Sequence, residues 1–120
     1  MPTKLSEAEV TRQIRDVLRI CRIFHWKQWQ GPMSQPKGVA DILGYYNGRP
    51  MAIEVKKEGW KPPSVGTKEY KHYREQEAFL QNTRDNQGYA FFASSVDEVI
   101  ERLGLTAKVM PLFANNQTRR

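Results

Sequence analysis

The sequence predicts an α/β domain in which a mixed central β-sheet is flanked by helices. Three observations lead there. Apolar residues recur at helical spacing near the start of the chain and again after Ser95, two strand-like runs flank Asn47-Gly48, and a short apolar run follows Gly88. Helical and strand patterns interleaved in this way are expected of a sheet covered by helices. With 120 residues the chain has room for one core, so it reads as a single domain over 1–120 with a flexible tail from about residue 114.

Val10, Ile14, Val17, Leu18 and Cys21 share one face of a helix predicted over residues 6 to about 22. Ser6 with Glu9 three residues later is a capping box, which sets the start of that helix. Residues 23–29 alternate aromatic and polar side chains as a strand does. Two prolines and two glycines then force a loop over 31–38. Residues 39–46 and 50–56 are predicted as a hairpin, because Asn47-Gly48 tolerates the positive φ that a tight turn requires. A second loop, rich in Gly and Pro, runs from 58 to about 68 and is expected to be mobile and on the substrate side. A polar helix over about 70–86 follows, with Tyr73, Ala78, Phe79 and Leu80 supplying contacts. Residues 89–93 read as a buried strand, and a second capping box, Ser95 with Glu98, opens a helix that ends at Gly104. A short strand is predicted over 107–113 before the polar tail.

Nineteen basic residues against thirteen acidic ones leave a formal charge of +6, which attracts a polyanion. Hydrophobic content of 39% with 27% charged residues fits a folded domain and not a disordered chain. No apolar run approaches the length of a membrane span, so no membrane partner is expected. The first residues lack the apolar stretch of a secretory signal, and the lone Cys21 has no disulfide partner, so a cytoplasmic location is expected. Cys21 lies at the end of a helical pattern and fits a small buried role better than nucleophilic catalysis. His25 and His72 stand apart from any Cys or His cluster, which argues against zinc.

Chemistry concentrates in the hairpin. Asp41 lies amid Val39, Ile42 and Leu43, and Glu54 lies between Ile53 and Val55, where unpaired carboxylates are costly. Counting outward from the turn pairs Tyr46 with Arg49 and Asp41 with Glu54. Period-two alternation places Lys56 on the same face and Val55 on the other. Facing carboxylates repel unless a proton or cation sits between them, and oxygen donors of this kind suit Mg²⁺ or Mn²⁺. A buried Asp-Lys-Glu ion network serving stability alone is the structural alternative.

Residues 37–44, Lys-Gly-Val-Ala-Asp-Ile-Leu-Gly, followed by Ile53-Glu54-Val55-Lys56-Lys57, resemble the core of the PD-(D/E)XK nuclease superfamily and its VRR-NUC branch. The resemblance covers about 6–103 and implies a restriction-endonuclease-like core. It implies Asp41, Glu54 and the Val55 backbone carbonyl as metal ligands, Lys56 as the catalytic lysine, and Gln76 near the site. An exposed polar helix residue is the alternative for Gln76. Ala40 stands where the superfamily has its proline, and Lys56-Lys57 where the branch has arginines. The family also uses a glutamate of the first helix, reaching the metal through water or directly. Glu7 is favoured for it over Glu9, because the capping box gives Glu9 work at the backbone.

The activity so implied is metal-dependent DNA endonuclease cleavage with Mg²⁺ or Mn²⁺, by a homodimer that cuts two strands symmetrically, with branched or junction DNA, a flap and a nick all open as its substrate. Lys37, Lys57, Trp60, Lys61 and Lys71 are the expected DNA contacts, the lysines on phosphates and Trp60 on a base. An inactive nucleic-acid-binding module on the same fold and a basic structural protein are the competing readings. The retained acids weigh against the module, since carboxylates beside phosphates reduce affinity.

Overall fold

The computed structural model describes residues 3–33 and 36–110. Its order is α1 (Glu7–Ile20), β1 (His25–Lys27), β2 (Ile42–Tyr46), β3 (Arg49–Val55), α2 (Tyr70–Asp85), β4 (Tyr89–Ala93) and α3 (Val96–Arg102). The four strands form one mixed sheet in the order β1-β2-β3-β4. β1 and β2, and β2 and β3, pair antiparallel, whereas β3 and β4 run parallel with α2 between them in the chain. Parallel neighbours need a long connection, and a helix is its usual form.

Alternation along β3 sorts the core into two layers. Met51, Ile53 and Val55 face α1 and α3, where they meet Val10, Ile14, Leu18 and Val99. Ala52 and Ala90 face the other way and, being small, let Leu80 and Phe79 of α2 approach the sheet closely. Truncating a fully buried residue such as Ile14 or Ile53 to alanine would cost roughly 2–5 kcal/mol. Ser6 Oγ accepts from Glu9 N–H at 3.2 Å, and Ser95 Oγ from Glu98 N–H at 3.2 Å, so both serines cap helices where the sequence puts them. The glutamates turn to Ser6 Oγ and to Ser94, and not to the capping residues' own backbone amides. Asn47 (φ 53°) and Gly48 (φ 73°) supply the hairpin turn.

Several boundaries differ from expectation. β1 is three residues and not seven, an edge strand whose neighbours Phe24 and Trp29 are exposed. β2 begins at Ile42 and not at 39, so Asp41 precedes the strand instead of lying within it. There the side chain replaces the ladder: Asp41 Oδ2 accepts from Val55 N–H at 2.9 Å, and its carbonyl from Gln28 N–H at 2.7 Å. β3 spans Arg49–Val55, one residue earlier than predicted at each end. Ala78 on α2 is exposed and contributes no core. Residues 106–110 are helical and not a strand, because Leu105 and Val109, four apart, both turn into the α1–α3 layer. The remainder of that predicted strand, and the tail from 114, lie outside the described residues. The 58–68 loop is anchored at its start, where Glu58 N–H donates to the Leu5 carbonyl and Glu58 Oε1 accepts from Leu5 N–H at 2.7 Å. No helix among the described residues is long and apolar enough to cross a membrane.

Candidate functional site

The hairpin register ends with Ile42 opposite Ile53, and Asp41, just before β2, sets its carboxylate on the Val55 amide beside Glu54. Glu54 belongs to the α2 layer of the sheet and is only 4% exposed. Its Oε2 accepts from Gln76 Nε2 at 2.9 Å and lies 3.6 Å from Lys56 Nζ. Lys56 Nζ in turn donates to Gln76 Oε1 at 2.9 Å. The buried Gln76 therefore bridges the lysine and the acid, and the exposed alternative for it is excluded. Its amide oxygen accepts from the lysine while its amide nitrogen donates to the acid, so one side chain serves both.

The other oxygen, Glu54 Oε1, is buried without a hydrogen-bond partner. Burial foremost, and then the Asp41 charge and a hydrogen bond with Asp41, push the Glu54 carboxyl up to about 9. Facing carboxylates are relieved by a shared proton or by a cation, and the unpartnered Glu54 oxygen has room for either. Asp41 is held from its far side, where Oδ1 accepts from Gln30 Nε2 at 3.1 Å while Oδ2 takes the Val55 amide. The same Gln30 amide nitrogen donates to the Val39 carbonyl at 2.9 Å.

Glu7 reaches the group from α1. It lines a cavity with Asp41, and its carboxyl is raised by partial burial and then by the Asp41 charge, with Lys56 and Lys27 opposing. Glu9 stays at the helix start, its Oε1 accepting from Ser6 Oγ at 3.2 Å. Among the described residues no three acids or imidazoles converge tightly enough to form a metal cluster on their own. Asp41 and Glu54 nevertheless fit a hard divalent cation, since they are two oxygen donors whose buried orphan atom calls for positive charge. Val55, whose carbonyl the resemblance implies as a third donor, is fully buried between Glu54 and Lys56.

The expected DNA contacts include residues of two different cavities. Trp60 is packed and not free, its ring 5.1 Å from Phe92 and 6.1 Å from Tyr73, with Lys56 Nζ 5.4 Å from its centre. Lys61 joins Lys56, Trp60 and Gln76 around a cavity of about 440 Å³. Lys37 lies elsewhere, with Glu75, Phe79 and Asn82 in a cavity of about 510 Å³ that holds none of the acids 7, 41 and 54. Lys57 and Lys71 are exposed. Sequence reasoning missed Gln30, whose loop position carries no motif, and Glu58, whose bond to Leu5 joins residues 53 apart. No family model, curated protein or solved structure matches this chain.

Proposed function

We propose that this chain is a divalent-metal-dependent nuclease of the PD-(D/E)XK kind, nearest the VRR-NUC branch, that hydrolyses phosphodiester bonds in DNA. The observation that carries the reading is the buried, unpartnered Glu54 Oε1 beside the Asp41 carboxylate, with Lys56 held to the same acid by Gln76. A purely structural network gains nothing from an orphaned buried oxygen.

Asp41 and Glu54 would hold Mg²⁺ or Mn²⁺, with the Val55 carbonyl and Glu7, through water, as further ligands. Bound there, such an ion supplies a lowered pKa for water and charge neutralisation at the scissile phosphate. Lys56 keeps a positive charge next to the acids, where it stabilises the charge that grows on the phosphate oxygens as the bond to the attacking water forms. Gln76 fixes the lysine's position through its side-chain oxygen. Gln30 and the Val55 amide orient Asp41 so that its carboxylate stays turned to Glu54. The restriction-endonuclease-like identity of the core is part of the proposal and is supported by a βαβ unit carrying the acid-x-lysine strand. Cutting both strands of a branched substrate needs two such sites, so a homodimer is included.

The test joins binding to cleavage. Mn²⁺ is expected to raise the melting temperature of the wild type and to do so far less for Asp41→Ala. A panel of linear, flapped and junction DNA is expected to be cut by the wild type with Mg²⁺ or Mn²⁺ and left intact by Asp41→Ala. Equal stabilisation of both proteins, or cleavage undiminished in EDTA, would refute the reading.

A further inference from the structure

A cavity of about 350 Å³ opens beside the acids on the α1 side of the sheet, and its wall is cationic. Arg12, Arg15 and Arg19 contribute from α1 and Lys27 from β1, while Glu7 and Asp41 belong to the same lining. Positions 12, 15 and 19 are three and four apart, so one helix face carries all three guanidinium groups. Between Arg12 and Arg19 the helix rises about 10 Å, so the guanidinium groups are spread along the trough and not gathered at one point.

This positive charge is not consumed inside the fold. Arg12 and Arg19 share a single acid, Asp16, at 3.6 and 3.0 Å, and all three side chains are at least half exposed. Exposed pairs of that kind contribute little and yield readily to a phosphate. Among the described residues Arg15 and Lys27 form no ion pair. Arg15 Nε–H donates to His25 Nε2 at 3.4 Å, and His25 Nδ1 lies 2.9 Å from the Ile23 carbonyl. The proton therefore sits on Nδ1, and the neutral ring orients Arg15 without neutralising it. Four cationic side chains against the two acids Glu7 and Asp41 leave the lining net positive, which favours an added anion at the arginine end.

We propose that this trough takes the sugar-phosphate backbone of a DNA strand and leads it to the Asp41–Glu54 acids. On this proposal α1, and not the lysines at 37, 57, 61 and 71, carries the main phosphate contacts. The choice of DNA as the polyanion rests on the nuclease reading. Glu7, at the acid end of the same helix, then marks where the track meets the site.

The experiment measures DNA affinity against salt concentration in Ca²⁺, for wild type, Arg15→Gln, the triple variant Arg12→Gln/Arg15→Gln/Arg19→Gln, and Lys108→Gln as a basic residue remote from the trough. Gln matches Arg in helix propensity, and melting curves verify that each variant folds. The slope of log affinity against log salt is expected to fall by about one for Arg15→Gln and by about two to three for the triple variant. Affinity of the triple variant is expected to drop at least roughly tenfold at ~0.1 M salt, with Lys108→Gln unchanged. Inorganic phosphate is the second arm. Competition by phosphate beyond that of chloride at equal ionic strength would overturn the backbone assignment in favour of a single-anion site. Wild-type slope and affinity in the triple variant would overturn the trough while leaving cleavage by the wild type, and so the nuclease reading, standing. Absence of any DNA binding by the wild type would overturn both.

Discussion

Glu54→Gln is expected to stabilise the metal-free protein at alkaline pH and to flatten its stability profile there. In the folded chain burial, and then Asp41, push this carboxyl up to about 9, from the 4.5 of an unperturbed glutamate. Between those values the folded state holds a proton that the unfolded state has released, so stability falls as pH rises. The contribution is complete below about 4.5 and is lost as pH passes through about 9. One proton is worth about 1.4 kcal/mol per pH unit, so between pH 7 and 9, with the group half titrated at the upper end, the wild type loses about 2–3 kcal/mol. His25, which burial holds below its ordinary range, is largely neutral in both states across that window. Glu7, raised in the same direction, is present in both proteins. Glutamine keeps the shape and an oxygen for Gln76 Nε2 but removes the titration. Denaturant unfolding at pH 7, 8 and 9 in EDTA reads the difference. Saturating Mn²⁺ reverses the trend for the wild type, because the ion takes the proton's place and its binding strengthens as pH rises. A wild-type profile flat from pH 7 to 9, or one equally steep in Glu54→Gln, would refute a proton held between the two acids.

Two further outcomes follow from the site. Lys56→Met is expected to slow single-turnover cleavage at least roughly a hundredfold with DNA affinity in Ca²⁺ nearly unchanged, whereas the exposed Lys57→Met weakens binding at most, and in a salt-dependent way. Wild-type rates in Lys56→Met would remove the lysine from the mechanism. Glu7→Gln is expected to reduce cleavage severely with little change in melting temperature, while Glu9→Ala costs up to about 1 kcal/mol of stability and leaves cleavage largely intact. The reverse pattern, measured by the same two assays, would exchange their roles.

The sequence by itself determined the helix starts, the hairpin and the nearness of Asp41 to Glu54, though not as a pair within the ladder. These depend on local chemistry: a serine hydroxyl within three residues of the amide it caps, a turn that accepts positive φ, and a strand repeat of two. Once the turn is fixed, the register fourteen residues across follows by counting. The tertiary structure decided what encloses those acids. Gln76, which only the resemblance set near the site, is buried between Lys56 and Glu54 once α2 lies on Ala52 and Ala90. Trp60 reads as a free loop residue until Phe92 and Tyr73 arrive from β4 and α2. Gln30, and the arginines of α1 that face Lys27, likewise acquire a role only from partners brought close by folding. Hydrogen bonds and charges act over a few ångströms of space, and local patterns specify space only within one element or one turn. Contacts between elements are set by how the two layers pack on the sheet, and the strand ends obey the same rule. β2 starts at Ile42 because the Asp41 carboxylate, once beside β3, takes the Val55 amide that a longer ladder would have used.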